Sequence, residues 1–130
     1  MARITAMAIA LDVMDRPWEW GKADCCTAAC DVFLRMHGID PMTPLRGQYS
    51  TRADARKIIL NYGGFLPMAK ALAAGAGLLE GLNQAGEIGV ARDPESNEHV
   101  LAICIGGAWA CKTDTGMATA RTAERYWRAP

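Results

Sequence analysis

The sequence has no block of basic residues and no long apolar run. Lys and Arg total 14, and Asp and Glu also total 14, so the 130-residue chain carries no formal net charge. Such a chain lacks the electrostatic footprint of a nucleic-acid binder and the polybasic segment that holds proteins on anionic membranes. Its longest nearly apolar stretch, Ile4 to Leu11, is too short to cross a bilayer and is followed by no small-residue cleavage site. We therefore expect no nucleic-acid partner, no membrane insertion and no signal peptide.

The sequence also lacks a Cys-x-x-Cys pair. An odd number of cysteines in a chain without a signal peptide favours free thiols over disulfides. Structural zinc sites usually take paired cysteines two to four residues apart in loops, and the cysteines here are not arranged in that way. We expect no metal and no cofactor. The five thiols are Cys25, Cys26, Cys30, Cys104 and Cys111.

The composition is that of a globular protein. Apolar residues make up 51% of the chain and charged residues 22%, which is enough to form a core. No internal repeat or Gly/Ser linker divides the chain, so residues 1–130 are predicted to form a single domain. Apolar spacing and capping residues predict helices over 4–14, 24–36, 51–60 and 67–75. Asp24 is the expected N-cap of the second helix and His37-Gly38 its end, and Ser50 or Thr51 is expected to cap the third.

The pattern changes after residue 85. Short β-rich segments between turn residues predict strands over 86–90, 99–105 and 108–112. One last helical turn over 120–125 and an edge strand over 126–128 complete the prediction. Helices first and strands second predict an α+β fold, with the N-terminal helices packed on a small C-terminal antiparallel sheet.

The residues that indicate chemistry are Asp24-Cys25-Cys26, at the start of the second helix. The thiolate is the nucleophilic form of cysteine, and the positive end of a helix dipole favours it. The first N–H groups of a helix lack intrahelical partners and can donate to an oxyanion. The position therefore favours Cys25 as a nucleophile in acyl transfer. The alternative is a buried cysteine that packs as a small hydrophobic residue, a description that also suits Cys26 and Cys30.

Only two histidines are available as a base. His37 lies at the far end of the same helix, roughly 18 Å from Cys25 at 1.5 Å per residue, and is interpreted as a capping or dipole residue. His99 begins a strand and can face the nucleophile across a cleft, although an exposed loop histidine is the alternative. The tryptophans can line a sugar or peptide groove or simply pack in the core and at its rim. They are Trp18, Trp20, Trp109 and Trp127.

Several segments resemble the NlpC/P60 family of papain-like cysteine peptidases. Pro17–Gly21 followed by Asp24-Cys25 resembles the family's aromatic Pro-Tyr-x-x-Gly segment and its Asp-Cys helix start. Residues 86–88 are similar to its Gly-Asp-Leu/Val strand, and residues 99–106 to its His-Val-Gly-Ile-Tyr-x-Gly strand. With residues 46–51 included, the chain looks closest to a small NlpC/P60-like family encoded in tailed-phage, prophage and gene-transfer-agent tail clusters.

The resemblance implies a papain-like fold and a set of site residues. Cys25 matches the nucleophile and His99 is the nearest match to the base, while Cys26, Trp18 and Trp20 would border the oxyanion site and substrate groove. When the family's motif is aligned on Gly106, its histidine falls on Val100, one residue after His99. A one-residue offset in a strand turns the side chain to the opposite face of the sheet. Either a β-bulge turns His99 back toward the nucleophile, or the catalytic base is missing. In the family a third polar residue, on the following strand, orients the histidine. Its position falls near Cys111 in this sequence, and Asp114, three residues later, is the nearest carboxylate that could replace it.

The implied function is local opening of a bacterial cell wall. The chain is predicted to be a component of a phage or phage-derived tail tip that cleaves peptidoglycan peptides through Cys25. Its partners would be other tail-tip proteins and peptidoglycan peptide, and its location the virion after assembly in the host cytoplasm. The alternative is a catalytically degenerate structural protein of the tail tip. A thiol-based metal or redox module is a third hypothesis, and it lacks the usual Cys-x-x-Cys pair.

Overall fold

The computed structural model describes residues 2–130. These residues form four helices and one six-stranded antiparallel sheet, which confirms the predicted α+β class. None of the helices in residues 2–130 has the length and apolar character needed to cross a bilayer. The helices are α1 (Ala2–Met14), α2 (Cys25–His37), α3 (Arg52–Asn61) and α4 (Phe65–Gly75). The strands are β1 (Leu79–Glu80), β2 (Ile88–Arg92), β3 (His99–Cys104), β4 (Trp109–Thr113), β5 (Gly116–Ala120) and β6 (Arg125–Arg128).

The helix boundaries follow the capping residues. Asp24 caps α2 through a capping box with Thr27, and Gly38 ends the helix in the left-handed conformation with a φ of 73°. Thr51 accepts a hydrogen bond from the Asp54 N–H and begins α3. Asp24 and Gly38 were predicted from the sequence and are confirmed, and of the two caps considered for α3 the structure selects Thr51.

The end of the chain differs from the sequence prediction. The sheet order is β1-β6-β2-β3-β4-β5, so β6 lies inside the sheet and the prediction of an edge strand is wrong. The predicted helical turn over 120–125 is also wrong, because Ala120 ends β5 and Arg125 begins β6. Two strands were missed: β1 has only two residues, and β5 has mostly small, partly buried residues with no apolar alternation. Because β1 pairs with the outer side of β6, that strand becomes internal.

The helices and the sheet share one main core. Buried residues of α1, α2 and α4 pack with the β3 side chains Leu101 and Ile103 on one face of the sheet. On the opposite face a smaller cluster surrounds the buried indole of Trp109. A Cβ at Gly89 would lie 2.8 Å from that indole ring, so β2 has space only for a glycine there. The sheet is therefore buried on both faces around its centre.

A buried lysine joins the end of α1 to the sheet. The Lys112 side chain lies inside the protein, where its Nζ donates to the backbone carbonyls of Met14 and Arg16. Helix C-termini leave carbonyls without intrahelical partners, and a cation is favoured at that end. Burial lowers the pKa of Lys112. This contact places the segment that begins at Pro17 beside β4, at one end of the groove described next.

Candidate functional site

A groove of about 910 Å³ runs between the N-terminus of α2, helix α3 and the turns that join β2 to β3 and β4 to β5. Its walls combine aromatic, charged and thiol side chains. The groove brings together all five site residues named from the sequence. They are Cys25, Cys26, Trp18, Trp20 and His99.

A buried carboxylate organises the nucleophile side of this groove. Asp24 is 1% exposed. Its Oδ1 accepts the N–H groups of Cys26 and Thr27, both at 2.9 Å. Its Oδ2 accepts the Gly21 N–H at 2.8 Å and the Tyr49 hydroxyl at 2.6 Å. One carboxylate thus ties α2 to the aromatic loop before it and to the loop that carries Tyr49.

The loop that carries Tyr49 is fixed to α2 by a second polar cluster. The Arg46 guanidinium donates to Asp40 and to Asp31, with distances of 2.7 Å to each carboxylate. Burial, together with the neighbouring Cys26 and Asp24, raises the pKa of Tyr49 well above its ordinary value. The Tyr49 phenol therefore stays protonated and donates to Asp24.

Cys25 is the first residue of α2 and is partly exposed to the groove. Because Asp24 takes the next two N–H groups of the helix, those are not free for a ligand. Within residues 2–130 no acceptor pairs with the Cys25 N–H. An oxyanion formed beside the Cys25 sulfur can use this donor.

Cys26 is 8% exposed, and its Sγ lies 3.9 Å from the Cys25 Sγ. The hydrogen bond with Cys25 and burial raise the pKa of Cys26 well above its ordinary value. Cys26 therefore keeps its proton, and Cys25 is the thiol that is partly exposed in the groove.

His99 is held by a carboxylate and by an aromatic ring. Its Nε2 lies 2.8 Å from the Glu124 Oε2, and its ring stacks on Phe65 at 5.8 Å between centroids. The Arg92 Nε donates to the other Glu124 oxygen at 3.2 Å. Since a carboxylate accepts hydrogen bonds, the imidazole Nε2 carries the hydrogen and Nδ1 is the nitrogen left to act as a base.

The register of β3 accounts for the position of His99 without a bulge. Five consecutive pairs join β2 to β3, from Arg92 opposite His99 to Ile88 opposite Ile103. His99 shares a sheet face with Leu101 and Ile103, the face on which α2 packs. Val100 points to the other face and joins the cluster around Trp109. His99 therefore borders the groove within a regular strand, with no β-bulge beside it.

The third residue near His99 is not one that the sequence indicated. Cys111 is fully buried, and burial raises its pKa to about 12, so it is a packing residue. Asp114 borders the groove from the β4–β5 turn, but the carboxylate on the imidazole is Glu124. Glu124 follows His99 by 25 positions and reaches it because β6 pairs with β2. No local motif around Glu124 marks this contact.

The remaining histidine and two tryptophans have structural positions. His37 Nε2 donates to the Gly86 carbonyl at 2.9 Å, which ties the end of α2 to the loop before β2. Trp109 and Trp127 are buried, whereas Trp18 and Trp20 border the groove as an edge-to-face pair 5.0 Å apart. Among the side chains of the described residues, no group of three or more His, Cys, Asp or Glu is placed to hold a metal ion.

The molecule is thus an α+β domain in which a thiol and an imidazole border one groove, and a carboxylate contacts the imidazole. The chain belongs to the family described as a domain of unknown function, DUF6950, whose model matches residues 3–129. No match was found among curated proteins or among solved structures. Membership of this family assigns no reaction to the chain.

Proposed function

We propose that the protein is a cysteine peptidase of the papain-like, NlpC/P60 type that cleaves peptide bonds in bacterial peptidoglycan. The observation that carries the proposal is the hydrogen bond of Glu124 to His99, a residue that lines the same groove as Cys25. A thiol nucleophile, a base and a group that orients the base are the parts that covalent acyl transfer requires.

The proposed reaction has two steps. His99 Nδ1 takes the Cys25 proton, and the sulfur attacks the carbonyl carbon of the scissile amide. The Cys25 N–H donates to the resulting oxyanion, and His99 returns the proton to the leaving amine. Water, activated by the same imidazole, then hydrolyses the thioester. Glu124 keeps the imidazole in the tautomer that exposes Nδ1 throughout.

The charges around the groove support a substrate with both an acid and an amine. Helix α3 contributes Arg52 and Arg56 to one side. The turns between strands contribute Asp93, Glu98 and Asp114. Arg52 and Glu98 approach each other to 3.6 Å, whereas Arg56 has no ion-pair partner within residues 2–130. A peptidoglycan peptide bearing a D-glutamate carboxylate and a diamino acid amine complements the two sides.

The proposed setting is the tip of a phage or phage-derived tail, where a local opening in the wall is needed. It derives from the resemblance of residues 46–51 and the flanking motifs to tail-cluster proteins of the NlpC/P60 type. In this setting the chain is a virion component assembled in the host cytoplasm beside other tail-tip proteins.

The test of the peptidase is cleavage of purified peptidoglycan and of a synthetic stem peptide, followed by mass spectrometry of the products. We expect Cys25→Ala to abolish product and Cys30→Ala, altered on the same helix outside the groove, to retain it. His99→Gln should lower the rate about 10²–10⁴-fold, whereas His37→Gln should not. Equal product from wild type and Cys25→Ala would contradict the proposal, as would no cleavage by folded wild type.

A structural role in the tail tip is the second candidate, and one observation favours it. Ile4, Met7 and Leu11 lie at helical spacing on α1 and are 71%, 46% and 50% exposed. Exposed apolar surface of this kind suits contact with another protein. In an assembly assay with the neighbouring tail-tip proteins, Leu11→Glu should then reduce incorporation, while Cys25→Ala should not. Normal incorporation of Leu11→Glu would argue against this contact.

A further inference from the structure

We propose that Cys26 is a positioning residue for the nucleophile, and that its S–H group donates a hydrogen bond to the Cys25 thiolate. The catalytic part of this inference rests on the proposed peptidase, whereas the contact between the thiols can be tested without a peptide substrate. It assigns a task to a buried thiol that takes no part in the peptide-cleaving steps.

The two sulfurs are in contact at the start of α2. The Cys26 Sγ lies 3.9 Å from the Cys25 Sγ, and within residues 2–130 that sulfur is the hydrogen-bond partner of Cys26. Cys26 is 8% exposed, so water has little access to its thiol. Hydroxyl side chains inside a helix can bond the carbonyl four residues earlier. Cys26 is the second residue of α2, so no helical carbonyl lies at that position and its S–H is left for Cys25.

The ionisation of Cys25 determines which sulfur is the donor. A neutral thiol can donate or accept a hydrogen bond, but a thiolate has no hydrogen and can only accept. Once His99 has taken the Cys25 proton, the donor in this contact has to be Cys26. The hydrogen bond with Cys25 and burial both raise the pKa of Cys26, so Cys26 retains the hydrogen that it donates.

The other ionisable side chains near Cys25 do not supply this hydrogen bond. The Asp24 carboxylate is an acceptor, and the Tyr49 hydroxyl donates to it and not to the sulfur. Two buried thiols pack in the cluster around Trp109, and the imidazole across the groove is the proposed base. Among the side chains of residues 2–130, Cys26 is therefore the donor in contact with the Cys25 sulfur. The ionisable groups compared are Asp24, Tyr49, Cys104, Cys111 and His99.

The backbone keeps the pair in its dithiol form. Consecutive Cα atoms across a trans peptide are about 3.8 Å apart. Disulfides usually need at least about 4.4 Å between Cα atoms. Cys25 and Cys26 are consecutive residues of one helix, so a disulfide bond does not readily replace the contact between the thiols.

For the proposed peptidase, the same donor serves both steps. During acylation it stabilises the thiolate that attacks the carbonyl carbon. During hydrolysis of the thioester, the Cys25 sulfur leaves as a thiolate and accepts the same hydrogen bond again. The hydrogen stays on Cys26 throughout, so His99 remains the group that takes and returns protons.

The experiment measures the rate at which iodoacetamide alkylates Cys25 in the whole reduced protein, with the modified residue identified by fragmentation mass spectrometry. Cys26→Ala removes the donor and should lower the rate about 3–10-fold at pH 6.5. Cys26→Ser retains a hydroxyl donor and should recover most of the lost rate. Cys30→Ala is the matched control, since Cys30 lies one turn further along α2 and outside the groove, and it should react as wild type does.

The pH dependence separates this role from a packing role. The alkylation rate depends on the fraction of thiolate and on its nucleophilicity, and a stabilised thiolate is the weaker nucleophile. At pH 10, where exposed thiols are largely ionised, Cys26→Ala should therefore react at least as fast as wild type. A packing defect would change the rate in the same direction at both pH values.

Four results would overturn the inference. They are no alkylation of Cys25 in the folded protein, equal rates for wild type and Cys26→Ala at pH 6.5, a loss that persists at pH 10, and a loss that Cys26→Ser does not recover. Circular dichroism at both pH values ensures that only folded protein is compared. Hydrolysis assays on the same samples separate the two proposals. The expected alkylation pattern without hydrolysis removes the peptidase only, and hydrolysis with equal alkylation rates removes the role of Cys26 only.

Discussion

Glu124 Oε2 lies 2.8 Å from His99 Nε2, although the two residues are 25 positions apart in the chain. His99 is the first residue of β3, and Glu124 is the residue before β6. Both of these strands pair with β2. Because Arg92 on β2 contacts the same carboxylate, three neighbouring segments meet at one acid. The orientation of the candidate base therefore depends on how the sheet is ordered and not on a local motif.

The contact between Glu124 and His99 predicts that part of the free energy of unfolding depends on pH. Burial would raise the pKa of Glu124, but the hydrogen bond from His99 and the charges of His99 and Arg92 outweigh it and lower that pKa below its ordinary value of 4.5. The carboxylate thus contributes stability above pH 4.5, and this contribution is lost as the pH falls through the folded-state pKa. Urea unfolding should find Glu124→Gln less stable than wild type at pH 6 and equal to it at pH 2.5. Glu95→Gln, altered on an exposed turn, should match wild type at pH 6, and a Glu124→Gln deficit that persists at pH 2.5 would contradict the expectation.

A second prediction concerns the Arg46 cluster. Arg46→Lys removes the planar fork that contacts Asp31 and Asp40 at the same time, because an ammonium cannot reproduce that geometry. We expect the free energy of unfolding to fall by about 1–2 kcal/mol. The matched change Arg35→Lys affects an exposed pair with Asp12 and should cost below about 0.5 kcal/mol. Equal losses in the two variants, measured by urea unfolding, would show that the fork adds nothing beyond charge.

Two glycines with positive φ give a third comparison. Gly21 has a φ of 85°, and a Cβ there would lie 2.2 Å from the Tyr49 carbonyl oxygen. Gly47 has a φ of 76° with open space around it. Gly47→Ala should cost about 1 kcal/mol for the left-handed backbone alone. Gly21→Ala should cost more than this and should also change the alkylation rate of Cys25, because its loop is tied to Asp24. Similar thermal shifts for both variants would contradict this.

The fourth prediction concerns a buried carboxylate outside the groove. Glu87 accepts the N–H groups of Leu82, Asn83 and Gln84, and these bonds shape the loop that leads into β2. Glu87→Gln replaces one acceptor oxygen with an NH₂ group, which only donates and so cannot accept from these N–H groups. We expect a loss of about 1–3 kcal/mol in the free energy of unfolding. Glu80→Gln on the exposed strand β1 should be nearly neutral, and a similarly small change for Glu87→Gln would argue against the loop-shaping role.

The sequence predicted the parts of the site that local chemistry determines. Asp24 as a cap and Cys25 at a helix start are encoded within four residues, and the structure confirms both positions. His99 at the start of β3 was likewise predicted from its own strand. Glu124 was missed because its role depends on β6 lying beside β2, which no spacing in the sequence reveals. The strand order itself was missed because β1 is too short to show an apolar pattern.

The internal position of β6 links closure of the sheet to the surroundings of His99. Without residues 124–128 paired to it, β2 would have one open edge and the imidazole would have no carboxylate beside it. Pairing of β6 with β2 covers that edge and brings Glu124 to His99 in the same event. Detachment of this one strand would therefore leave the imidazole without the group that orients it.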